Sequence, residues 1–96
     1  MSELVLTTSH SYPLRELVQA ALETQQRVLQ AGIQRTEERL RAFEAQYSLA
    51  SAEFLRRYEA DEFNESLDFA EWIGEMRLLE RMQEKLVVLK DISIEN

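Results

Sequence analysis

Ninety-six residues of 11.3 kDa, 45% hydrophobic and 30% charged with only two Gly and one Pro, describe a single ordered, helix-rich domain and exclude collagen-like and low-complexity chains. The absence of Cys excludes disulfides, thiolate metal sites and a cysteine nucleophile, and one His without Cys cannot build a zinc site. Eleven Lys and Arg against 18 Asp and Glu leave a net charge of −7, which repels nucleic acid and anionic membrane and complements a basic partner.

Residues 1 to 12 read as an extended segment, because the apolar triplet Leu4, Val5, Leu6 is followed by Thr7, Thr8 and Ser9. This triplet is too short for a secretory leader, and the longest apolar run, Leu86 to Leu89, is too short to span a bilayer. A cytoplasmic location in a reducing compartment is therefore expected. Helix is predicted from Leu14 to about Tyr47, with Ser11 or Tyr12 as its cap, Pro13 in the first turn and Glu16 near the positive end of the dipole. Its apolar positions include Leu14, Leu17, Val18, Ala21 and Val28, and a seam of heptad spacing runs through Leu22, Leu29, Ile33, Thr36, Leu40, Phe43 and Tyr47. About 34 residues at 1.5 Å each give roughly 50 Å, so the helix requires an antiparallel neighbour or a second chain. Gly32 marks either a close helix crossing or a break.

A connection over 47 to 51 leads to a short helix from about Ala52 to Ala60, with Ser48 and Ser51 as cap types. The polar stretch 61 to 66 supplies a cap for a last helix from about Leu67 to Lys90, along which Phe69, Trp72, Ile73, Met76, Leu79, Met82, Leu86 and Leu89 recur at helical spacing. Ile92 and Ile94 alternate with polar residues, a strand period, so 91 to 96 is expected to be extended. Short β segments at both termini would pair with each other, a second copy or a partner's sheet edge, or would fray.

Catalysis is not expected. His10 lies in a Ser/Thr-rich segment and reads as an exposed loop residue, there is no Glu-x-x-His pair, and two isolated Gly make no phosphate loop. The run 61 to 68 lacks the Gly and the acidic spacing of a calcium loop. No cofactor or metal is expected. Arg35, Arg39, Arg41, Arg56 and Arg57 are interleaved with Glu37, Glu38, Glu44 and Glu53, the pattern of a solvated, ion-paired face more than of a nucleic-acid contact. The informative stretch is 59 to 75, with seven carboxylates, no Lys or Arg, and Phe63, Phe69 and Trp72 among them, just after Tyr58. Aromatic anchors within an acidic rim are the composition of an interface, and the alternative is that the aromatics face the long helix.

The run 43 to 59 contains the pattern FE-x-x-Y-x-x-x-S-x-E-F over Phe43, Glu44, Tyr47, Ser51, Glu53 and Phe54, and Asp68, Phe69, Glu71 and Trp72 follow as D-F-x-E-W. Over residues 35 to 90 this resembles small acidic helical prokaryotic proteins that look like antitoxin components of toxin–antitoxin pairs. The resemblance implies a non-enzymatic neutraliser of a small basic protein, a toxin.

The expected architecture is all-α, a long antiparallel helical hairpin with a short helix between, over one domain of residues 1 to 96. A homodimer is expected along Leu22, Leu29, Ile33, Leu40 and Phe43, because a core this small gains stability from burial between chains. The partner surface is expected at Tyr58, Glu62, Phe63, Glu65, Asp68, Phe69 and Trp72. Direct nucleic-acid binding and membrane insertion are not expected. The alternative is a homo-oligomeric structural protein without a toxin partner.

Overall fold

The computed structural model describes residues 2–94 and contains α1 (Leu14–Tyr47), α2 (Ser51–Glu59) and α3 (Leu67–Asp91). Met1, Glu95 and Asn96, assigned from sequence to the terminal extended segments, lie outside the described residues. α1 and α3 pack as an antiparallel hairpin. The pairs Phe43 with Trp72, Arg39 with Glu75 and Gly32 with Met82 move toward the N-terminus of α1 as they move toward the C-terminus of α3. α2 closes one end.

Each helix end has a local cause. Pro13 is the residue that caps α1, and its carbonyl accepts from Leu17 N–H at 3.2 Å, so the cap is one residue later than Tyr12 and two later than Ser11. Ser48 enters the left-handed region at φ 50°, and Leu49 N–H reaches back to the Glu44 carbonyl at 3.1 Å, the six-to-one bond that ends a helix. Asp61, at φ 61°, repeats the device after α2, with Glu62 N–H on the Arg57 carbonyl at 3.1 Å. α2 begins at Ser51 behind Ala50, and the Glu44 carboxylate accepts the Ser51 N–H at 2.7 Å, replacing a cap side chain. Ser66 caps α3 as its chemistry predicts, its hydroxyl accepting from Phe69 N–H at 3.1 Å.

Gly32 is a crossing and not a break, since α1 is continuous through it and a β-carbon there would lie 2.9 Å from Met82 Sδ. The heptad seam is taken up by the chain's own α3. Leu29, Thr36 and Leu40 are buried, and Leu22, Ile33 and Phe43 are half-buried, which corrects the expectation that this seam lies open to a second copy. The expected β segments are also corrected. Among the described residues there is no strand, residues 2–8 are exposed irregular chain, and α3 runs one residue past Lys90 to Asp91. An isolated triplet such as Leu4 to Leu6 has no neighbouring backbone with which to make a ladder. Ile92 is extended, and the Ile94 carbonyl instead accepts a bond from Arg15 Nη2 at 2.9 Å, tying the tail to the start of α1.

The core is concentrated where three helices meet. Leu40, Phe54, Trp72 and Ile73 form it, and Leu29 is the one buried hydrophobic residue described outside that cluster. Phe54 stacks on Trp72 at 3.9 Å between centroids and 5°, with Phe43 also stacked on Trp72 at 5.5 Å and 10°. The indole N–H donates to Ser51 Oγ at 2.9 Å, so the buried ring keeps its hydrogen bond. Beyond this end only two helices remain, and the molecule is a rod of 59 × 24 × 19 Å.

Candidate partner-binding surface

The hairpin divides by charge as well as by packing. Its closed end, residues 39–75, holds nine Asp and Glu against four Arg, a net −5. The two arms, 14–38 and 76–91, hold seven carboxylates and seven basic groups, a net of zero. The acidic character of the chain is thus placed on the rigid, aromatic end.

The structure brings the expected partner residues together at that end but turns them to different tasks. Trp72 is fully buried and presents no surface in this fold, because Phe43, Tyr47 and Phe54 all stack on its ring. Phe69 is half-buried, 5.2 Å from Phe54 and 5.3 Å edge-on from Tyr47. Phe63 leaves the loop to pack at 5.2 Å from Phe69, and the Arg57 guanidinium covers it at 4.8 Å from the ring centroid. Tyr58 is half-buried and donates its hydroxyl to Glu65 Oε1 at 3.1 Å. Glu62 accepts from Arg57 Nε at 3.1 Å. Asp68 Oδ2 accepts from the Tyr47 hydroxyl and from Gln46 Nε2 at 3.3 Å. Glu62, Glu65 and Asp68 therefore act first as clasps between elements.

These clasps leave an electrostatic trace. The Tyr47 phenol is held above its usual 10.0 chiefly by its hydrogen bond to the Asp68 carboxylate, and the Tyr58 phenol is raised in the same way by Glu65. The Glu53 carboxyl is lowered by the hydrogen bond from Arg56, whose own value is raised by it. Arg39 Nη1 donates to Glu75 Oε1 at 2.9 Å, while Glu75 Oε2 is buried with no bond from the described residues. Glu59, Asp61 and Glu71 remain exposed on the outside of this end.

Sequence reasoning missed Gln46 and Tyr47 as partners of Asp68, Ser51 as the acceptor for Trp72, and the Arg57 cover over Phe63. The spacing of 21 residues between Tyr47 and Asp68 carries no local signal. His10 is exposed, its backbone N–H on Thr8 Oγ1 at 3.1 Å. Among the described residues no group of three or more His, Asp and Glu is placed to hold a metal. Between the arms, Gln25, Leu29, Val88 and Leu89 line an open groove of about 370 Å³. No helix among the described residues is long and apolar enough to cross a membrane. Comparison with protein-family models, curated proteins and solved structures finds no match to this chain.

Proposed function

We propose that the chain is a non-enzymatic protein-binding module whose acidic closed end faces a small basic partner protein in the cytoplasm. The observation that carries this reading is the segregation of charge, −5 over residues 39–75 and zero over the arms. A single-sign field on a rigid surface steers an oppositely charged protein and raises its association rate. Phe63 and Phe69, half-buried at the rim, offer the apolar contact around which such an interface forms. The resemblance of residues 35 to 90 to antitoxin components makes a toxin the class of partner to seek. The same field opposes direct nucleic-acid contact. A homo-oligomeric scaffold is the second reading, favoured by the apolar side chains exposed along the arms, Leu17, Val28, Val87 and Val88.

The test uses a tagged chain in an extract of its native host, beside a variant carrying Glu59→Lys, Asp61→Asn and Glu71→Lys, which spares the clasps and keeps at 61 a residue suited to its left-handed backbone. The expected result is one small basic protein at fixed stoichiometry with the parent chain, and an association rate at least tenfold slower with the variant. Equal association by parent and variant, or recovery of the chain alone, overturns the reading.

A further inference from the structure

α1 carries a second apolar stripe that the fold leaves open. Leu17, Ala21, Thr24, Val28 and Ala31 follow one another at steps of four and three, a heptad spacing, and all five are exposed, Leu17 by 52% and Val28 by 57%. This stripe lies about a third of a turn from the seam that α3 covers. We propose that a second copy of this chain packs on it in antiparallel orientation, so that two hairpins join back to back through their arms. This surface is separate from the acidic end, and the inference is independent of the partner proposed there; it deepens the homo-oligomeric reading, which rests on the same exposed Leu17 and Val28.

Three observations select a second copy as the occupant. First, the chain exposes 7678 Å², roughly 1,900 Å² more than the ~5,700 Å² expected of a compact monomer of its mass. A stable interface takes about 600–1,000 Å² from each partner, so the surplus, part of which belongs to the exposed segment 2–8, exceeds what one dimer contact needs. The radius of gyration of 19.1 Å against about 12–13 Å for a globule of this length states the same excess as shape. Second, the arms are neutral while the closed ends carry −5 each. Contact between arms brings no like charges together, and antiparallel packing sends the two acidic ends to opposite poles. A parallel pair would set them side by side. Third, the stripe is complementary to itself when reversed about Thr24. Leu17 then falls opposite Ala31, and Ala21 and Val28 face each other to within one residue of register, a large side chain against a small one on either side of the central Thr24 pair, while parallel alignment sets Leu17 on Leu17 and Val28 on Val28. Arg27, whose Nη2 donates to Thr24 Oγ1 at 3.2 Å, borders the stripe and comes within reach of Glu23 of the second copy. The arrangement is isologous, each contact occurring twice.

The experiment is a molar-mass measurement by light scattering over a concentration series, on the full chain and on Val28→Arg and Ala21→Arg, with circular dichroism on each. Both positions are exposed, so the hairpin itself is expected to fold unchanged. The parent chain is expected at twice 11.3 kDa, and either variant is expected to raise the dissociation constant at least tenfold. Because the chain has no Cys, Ala45→Cys gives one spin label per copy. Antiparallel packing about Thr24 sets the two labels about 60 Å apart, and parallel packing sets them within about 20 Å. A parent chain monomeric at a concentration of about 100 μM, a dimer indifferent to both variants, or adjacent labels would each overturn the proposal.

Discussion

Trp72 shows how one residue type can be read two ways until its neighbours are known. Its place among carboxylates at 68, 71 and 75 is compatible with an interface anchor, and only Phe43, Phe54 and Ser51, up to 29 residues away, make it core. Trp72→Ala is expected to cost about 3–5 kcal/mol in a urea titration, because it leaves a cavity at the centre of the aromatic cluster. Ser51→Ala is expected to cost about 1–3 kcal/mol, since the buried indole N–H would lose its acceptor. Tyr47 gives a pH-dependent counterpart. Its phenol is raised in the folded chain, so the neutral form is favoured, and the contribution to stability is complete below the ordinary phenol value and lost as pH climbs through the raised one. In an alkaline absorbance titration Asp68→Asn is expected to bring the Tyr47 transition down toward 10.0, whereas an unmoved transition would show that Asp68 does not hold it.

Helices were legible from sequence where local chemistry decides them. The start of α3 follows from Ser66, the span of α1 from its apolar spacing, and the gap between α1 and α2 from Ser48 to Ser51. The terminal strands were not, because β propensity expresses packing against a neighbour and residues 2–8 have none. Nor was the cap of α2, which is supplied by Glu44 from the preceding helix. The aromatic and acidic residues of the candidate surface were found as a group, but which faced inward depended on rings brought from α1 and α2. Two substitutions probe α3 in opposite directions. Ser66→Ala is expected to cost about 1 kcal/mol by removing the acceptor for Phe69 N–H. Gly74→Ala is expected to add about 0.5–1 kcal/mol, since no atom lies within 4 Å of the new β-carbon. Gly32→Ala gains the same propensity but must displace Met82 Sδ, so its net effect is expected to be smaller than that of Gly74→Ala in thermal melts.

At the scale of the molecule, stability is unevenly distributed. Three helices and most of the aromatic rings meet at the closed end, whereas the far turns of α3 rest on one helix and leave Val87 and Val88 exposed by 68% and 62%. Local opening is cheapest where buried apolar contacts are fewest. Amides of residues 84–91 are therefore expected to exchange with solvent at least tenfold faster than those of 72–76, and uniform exchange along α3 would contradict this gradient.

The single indole also determines what light emitted by this protein can report. Packed against Phe43, Tyr47 and Phe54 without solvent access, it is expected to emit toward the blue and to resist acrylamide, and it does so from one pole of a 59 Å rod. Events on the arms will be invisible to its fluorescence, while circular dichroism weights all helical residues alike. A molecule heated in both instruments should lose ellipticity before its emission shifts.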